Sequence, residues 1–480
     1  MKNYVLIALV LTLVSCGDDD DETYFGGEIV NPKTNSVVLF KDGSPVDTAK
    51  LDSRNRFLFK FSSLESGLYY FYNQPEYQYI ILEQGDSLLL RLNTYDFHES
   101  LVYSGKGAEK NNVLIAQFLQ DKKDKQFIRR NLVELSPDGF KLRIDSMYAS
   151  KLEKLDRFFE NYHSTEITED ILINDAGYRL FRYAEIYPYL HYKYTNERSK
   201  KVPDNFYSFR ELLDSKDDRY AHFDPYLRYL KLYVSGKAYD LAADIHKNYS
   251  AYEIIQSNEY HNEKLKIIED QLKNYPLSKN KLLRNAAYTF YLDERRDASY
   301  DETYLENFKS YVSDTTAIFK EINEIHENLD NLKKGKRVKS INFINFSGNT
   351  INIQDTNHDK LTVYYFWARH QNNHFKDILN RVHVLEDKYP KINFVGINKD
   401  LNQDDWKKTL ATYRLNPDNQ YRINNYDSVS RKLMLSKMNK VLIINKDEII
   451  VDAFADIYAT NFETLLSSYR GNYYSRTSKN

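Results

Sequence analysis

A chain of 480 residues exceeds what one hydrophobic core usually supports, so two or three domains are expected. The composition, 42% hydrophobic and 28% charged, is that of a globular protein, and a net charge of -2 gives no reason to expect a nucleic-acid partner. One cysteine, Cys16, rules out an intrachain disulfide and any internal dithiol. Tyrosine is abundant at 42 residues. AT-rich codon usage accounts for it, as does a surface of aromatic contacts for sugar or protein.

The chain opens with "MKNYVLIALVLTLVSCG", in which Lys2 precedes an apolar run from Tyr4 to Val14. The run is shorter than the roughly 20 residues a membrane span requires and suits a secretory signal over residues 1–15. Its end, "LVSC", resembles the bacterial lipobox, which implies cleavage before Cys16 and acylation of that residue; several acyl chains would anchor the protein stably. Residues 16–23 then carry Asp18, Asp19, Asp20, Asp21 and Glu22, a self-repelling tether. This acidic run resembles the export signal of Bacteroidetes lipoproteins displayed on the outer face of the outer membrane, and the same location is expected here.

Residues 24–107 read as β structure. Alternating runs such as "NSVVLFKDG", "RFLFKF", "GLYYFY" and "YQYIILEQGDSLLLRLN" are separated by turn signals at Asn31-Pro32, Asp42-Gly43, Gly67 and Gly85-Asp86. A small sandwich or barrel is expected. The succession "GGEIVNP", "LEQGDSLLLRLN", "SGKGAEKNN" resembles a small β-domain that precedes thioredoxin-like domains in Bacteroidetes lipoproteins.

Residues 108–337 change to a helical period. Apolar stripes run through Ile144, Tyr148, Leu152, Leu155 and Phe159, through Leu265, Ile268, Leu272 and Tyr275, and through Ile318, Ile322, Ile325, Leu329 and Leu332. Such faces must be buried, so a helical bundle is expected. In the aromatic stretch "YRLFRYAEIYPYLHYKY", 178–194, helical packing explains the spacing of Phe181, Ile186 and Leu190. Tyr183, Tyr187, Tyr189, Tyr192 and Tyr194 also suit a glycan or protein platform. Pro188 should end or kink the helix. The polar run "KKGKR", 333–337, marks the expected boundary.

Residues 338–480 follow a third pattern. "SINFINFSGNTINI" reads as a hairpin, "KLTVYYF" as a buried strand, 373–388 as a helix and "KINFVGINKD" as a strand. "KVLIINKDEIIVDAF" closes as a hairpin before a last helix at "NFETLLSSY". The order is that of a thioredoxin-like α/β domain, which makes the whole chain a multidomain α+β protein. "YYFWA" and "LIINKDEII" resemble the TlpA-type thioredoxin-like family. In that family Cys-x-x-C follows the first of these, and the two cysteines fall here at Gln371 and His374. The family's cis-proline falls at Asn439, after Met438. Disulfide exchange needs a thiolate and a resolving thiol, which an amide and an imidazole cannot supply, so no catalytic residue is expected. His370 and His374 are four apart, the spacing of zinc ligands on one helical face, but in the thioredoxin arrangement the helix begins at about Gln371 and leaves His370 before it. No third ligand is evident beyond His358, and no nucleophile elbow accompanies them. Neither metal nor cofactor is expected.

These features imply a non-catalytic outer-membrane lipoprotein, held by the lipid on Cys16, whose degenerate thioredoxin-like groove binds a protein partner in an envelope complex. An accessory role in envelope thiol-disulfide homeostasis and a glycan-binding role stay open.

Overall fold

A computed structural model describes residues 22–197, 202–293, 298–356, 360–400, 402–435 and 439–475. Cys16, Asp18, Asp19, Asp20 and Asp21 lie outside them, as do His358 and Met438. The chain divides into two compact units, 1–283 and 284–480. No helix among the described residues is long and apolar enough to cross a membrane.

The first unit begins with eight strands: β1 (Thr23–Val30), β2 (Ser36–Lys41), β3 (Ser44–Lys50), β4 (Arg56–Phe61), β5 (Gly67–Asn73), β6 (Glu76–Leu82), β7 (Ser87–Asn93) and β8 (Val102–Lys106). They form two four-stranded sheets, ordered β4-β1-β7-β8 and β3-β2-β5-β6. Of the two expected forms, the sandwich is the one found. Alternation drives it: Phe57 and Phe59 of β4 point inward between exposed neighbours and meet Phe25 of β1, which in turn meets Phe71 of the other sheet. Strands β3 and β8 escaped the sequence reading because they carry no such signal. All of β3 is exposed or nearly so, and only Tyr103 of β8 is buried.

Helices follow: α1 (Ala108–Asn131), α2 (Pro137–Tyr162), α3 (Glu166–Glu185), α4 (Tyr187–Thr195), α5 (Asp224–Ile245), α6 (Ala251–Gln256), α7 (Asn258–Leu272) and α8 (Pro276–Tyr291), the last crossing the division between units. Local chemistry sets their ends. The Ser136 hydroxyl accepts from Gly139 N–H before α2, Thr165 caps α3, and a capping box at Ser250 and Glu253 opens α6. The stripe expected through Tyr275 stops earlier: α7 ends at Leu272 because Pro276 starts α8. Pro188 acts similarly, sitting in the first turn of α4 after α3 stops at Glu185. Within the aromatic stretch Tyr178, Phe181, Tyr183, Tyr187 and His191 are buried, Tyr189 and Tyr192 are half-buried, and Tyr194 is exposed.

Helix α3 is buried on nearly every side from Ile171 onward, including Asp175, Arg179, Arg182 and Glu185. A helix enclosed this way must satisfy its charges internally. The sandwich is tied to this helical layer by residues of the two motifs noted in the sequence. Lys110 on α1 reaches Glu83 at 2.6 Å and Asp86 at 2.7 Å. The Asn111 amide accepts from Ile81 N–H at 2.8 Å and donates to Ile81 and Gly107 carbonyls at 2.9 Å. Thr165 and Thr168 donate to Glu83 from the start of α3. Gly107 holds φ +91°, and a Cβ there would stand 2.6 Å from the Asp86 carboxylate, so the motif requires glycine.

One buried cation works against the fold. Lys264 on α7 is 6% exposed, and burial brings its amine down from 10.5 to about 8. The unfolded chain therefore holds the proton more tightly than the folded one, and stability contributed by this group rises with pH between those values. Lys264→Met is expected to stabilise the protein at pH 7 by about 3 kcal/mol. Loss of the 5.3 Å contact with the Tyr260 ring offsets part of this. Urea unfolding at pH 7 and 9.5 checks it, because the gap between variant and wild type should shrink to about 1.4 kcal/mol at the higher pH.

The second unit holds α9 (Asp301–Lys309), α10 (Ala317–Asn331), β9 (Asn342–Ile344), β10 (Thr350–Asn352), β11 (Thr362–Trp367), α11 (Asn372–Lys388), β12 (Asn393–Asn398), α12 (Gln403–Thr412), β13 (Gln420–Arg422), α13 (Tyr426–Lys432), β14 (Lys440–Ile444), β15 (Ile450–Asp456) and α14 (Phe462–Ser475). Its seven-stranded sheet has the order β10-β9-β13-β12-β11-β14-β15. Strands β11 and β12 pair in parallel and β11 and β14 antiparallel. Every residue of β11, β12 and β14 is buried, as expected of strands covered on both faces. The expected hairpins, strands and helices of this region are present. The polar run 333–337 lies within this unit, where Gly335 and Val338 N–H groups donate to the Ile450 and Glu448 carbonyls.

Candidate functional site

Strand β11 delivers Trp367 into the core, and the chain then turns through Ala368, Arg369, His370 and Gln371 before α11 begins. Trp367 is fixed by its indole N–H, which donates to the Gln420 side chain at 3.0 Å; the Gln420 amide donates in turn to the Tyr365 hydroxyl at 2.8 Å. Gln371 is the N-cap of α11 but contributes no side-chain cap, and the next turn closes through Phe375 N–H on its carbonyl.

His370 lies before the helix and His374 within it, so the two imidazoles do not share a helical face. Instead the His370 Nδ1 pairs with Asp400 at 2.7 Å. Asp400 follows β12 by two residues and is held by several bonds: it accepts from Arg369 N–H at 2.6 Å and from the Asn398 side chain at 3.1 Å. The imidazole is 68% exposed and the carboxylate 16%, so the pair presents an oriented ring to solvent. Beside it the Arg369 guanidinium lies over the rings of Phe375 and Tyr413, at 5.2 and 5.6 Å. Burial holds the Lys399 amine below its usual range, and its Nζ stands 5.4 Å from the Tyr426 ring.

Neither Gln371 nor His374 supplies a thiol. An imidazole–carboxylate pair can orient a base, but acyl or group transfer also needs a nucleophile in reach. Among the described residues no Ser, Thr or Cys side chain is bonded to His370. Nor does any group of three His, Cys, Asp or Glu among them have the arrangement to hold a metal ion. Asn439 lies just before β14 and its carbonyl accepts from Ile457 N–H; the bond preceding it begins at Met438, outside the described residues. Glu22, the one described member of the acidic run, pairs with Lys60 at 2.7 Å.

Asp400, Asn398 and Arg369 were missed in the sequence. "NKD" after a buried strand was the available signal, but it is an ordinary loop composition.

Residues 359–450 match the family model described as thioredoxin-like. Among solved structures, a Bacteroides vulgatus protein provisionally called a thiol-disulfide oxidoreductase is 20% identical, covers 29% of this chain and 97% of its own, and has a TM-score of 0.26. The C-terminal domain of a protein provisionally given the same activity in Bacteroides thetaiotaomicron is 18% identical over 29% of this chain and 95% of its own, with a TM-score of 0.25. A thiol:disulfide interchange protein from a Bacteroides species is 19% identical over 25% of this chain and 80% of its own, with a TM-score of 0.21. No curated protein matches the chain significantly.

Proposed function

We propose that the chain is a non-catalytic envelope lipoprotein whose thioredoxin-like domain is a docking module for a protein partner. The observation that carries this reading is the composition of the motif. Gln371 and His374 stand where the exchanging thiols belong, and the chain's single cysteine is Cys16. What the loop offers instead is recognition chemistry: an exposed imidazole fixed by Asp400, and a guanidinium stacked on two rings. The lipobox-like "LVSC" and the acidic run after it support an outer-membrane, surface-displayed location.

Insulin reduction by the purified chain is expected to stay at the buffer rate, and a clear rate would overturn the reading. In mild-detergent pull-downs the wild-type chain is expected to bring down a defined partner. An Arg369→Ala/His370→Ala variant of unchanged thermal stability should lose it. Recovery of this chain alone would count against docking.

A further inference from the structure

The first unit contains a pocket of about 200 Å³, lined by strand β6, the segment before β8, and helices α1, α3 and α5. Two buried arginines line it, Arg179 and Arg182, exposed by only 8% and 7%. Each is engaged along part of its fork. Arg179 Nε donates to both Asp175 oxygens at 2.8 Å, and its Nη1 lies 3.9 Å from Asp121. One Arg182 Nη donates to the Asp121 oxygens at 2.8 and 2.7 Å and to the Tyr183 hydroxyl at 2.8 Å. A guanidinium has five N–H donors, so each arginine keeps donors that none of these bonds uses.

The charges at the pocket balance. Arg179, Arg182 and Arg228 face Asp121, Asp224 and Glu76, and Arg228 is itself paired with Asp224 at 2.7 Å. An anion would gain nothing from such a field, whereas a neutral group that both donates and accepts would find partners of each kind. Four rings, Tyr77, Tyr79, His98 and Phe118, make up most of the remaining wall, with Gln78, Leu114 and Pro225. Tyr77 and Tyr79 stand edge to face at 5.5 Å, and His98 stacks on Phe118 at 4.4 Å. Burial holds the His98 imidazole down toward its neutral form, which adds one donor and one acceptor. Tyr77, 39% exposed, leaves the pocket open to solvent.

The geometry points to a binding site for one neutral sugar ring, its hydroxyls on the free guanidinium N–H groups and the Asp121 and Asp224 carboxylates, its C–H face against the aromatic walls. The volume lies below the roughly 300–1,000 Å³ of drug-sized sites, which suits a single ring or the end residue of a glycan. This site is independent of the docking reading, since it lies wholly within residues 76–228.

Saturation-transfer NMR and calorimetry on the purified full chain test it, with glucose, galactose, mannose and N-acetylglucosamine as probes and glucuronate as the anionic control. Saturable binding of at least one neutral sugar is expected, with Kd on the order of 1 mM. Tyr77→Ala, a change at an exposed ring, and Arg182→Lys, which keeps the charge but loses the fork, should each weaken it by about tenfold with the melting temperature of Tyr77→Ala unchanged. Binding of glucuronate alone, no saturable signal from any of the four sugars, or affinity unmoved by both variants would overturn the assignment.

Discussion

Replacing Lys110 by methionine is expected to cost the first unit about 3–5 kcal/mol, because it leaves two enclosed carboxylates facing each other with no cation between them. Lys110 is 7% exposed, and its Nζ is the shared partner of Glu83 and Asp86. Burial raises Asp86 against the pull of Lys110. For Glu83 burial also acts upward, but the bonds from Lys110, Thr165 and Thr168 more than offset it and hold the carboxyl low. In the variant both carboxyls should sit above their unfolded values. Their protonated forms then fit the fold, so the deficit should be small below about pH 4 and grow as pH rises toward 7. Calorimetry is the right readout, since a chain of two units need not melt in one step. One transition should move in Lys110→Met while another stays in place. A loss under 1 kcal/mol at pH 7 would show that solvent reaches the carboxylates and that the contact is ordinary surface pairing.

Arg210→Ala is expected to have a comparable effect, again about 3–5 kcal/mol, by orphaning Glu185. That carboxylate is wholly buried at the end of α3 and takes two bonds from Arg210, Nε at 3.0 Å and Nη2 at 2.6 Å, with the Tyr229 hydroxyl a third partner at 3.0 Å. The guanidinium is also stacked, 3.8 Å from the Tyr207 ring centre. Arg210→Lys should recover only part of the loss, because an ammonium cannot make the two parallel bonds or the stack. Tyr229→Phe, which removes one neutral donor, should cost about 1 kcal/mol, so the contrast between variants separates the ion pair from the hydrogen bond. The backbone at this point is as constrained as the side chains. Gly236 of α5 packs so closely on the break after α3 that a Cβ would stand 2.0 Å from the Glu185 carbonyl oxygen. Gly236→Ala should accordingly lower the melting temperature markedly even though alanine is the better helix former.

The thioredoxin-like match spans about a fifth of the chain, and the two networks treated above lie outside it. The first accounts for how a β-sandwich and a helical layer form one unit, and the second ties α3 to α5 within that layer. Motifs such as "LEQGD" and "SGKGAEKNN" supply the Lys110, Glu83, Asp86 and Gly107 that join the two, an architectural role.

Periodicity and composition made much legible in advance. "SVVLFK" and "RFLFKF" alternate, and the stripe from Ile318 to Leu329 repeats every three to four residues, so the strands and helix follow directly from which side chains must leave water. The missing dithiol was equally plain, since one cysteine at position 16 cannot furnish two thiols at 371 and 374. What stayed hidden were elements and contacts without a period. Strand β3 is solvated along its length, and β13 is three residues long. The partner of His370 lies 30 residues away at Asp400, that of Glu185 lies 25 away at Arg210, and Arg182 meets Asp121 across 61 residues. A charged residue reads as surface in sequence because isolated burial of a charge is so costly. Asp175 meets Arg179 one turn along the same helix, but only the tertiary structure brings Asp121 to Arg182 and Arg210 to Glu185, and that pairing is what lets these two sit in a buried helix.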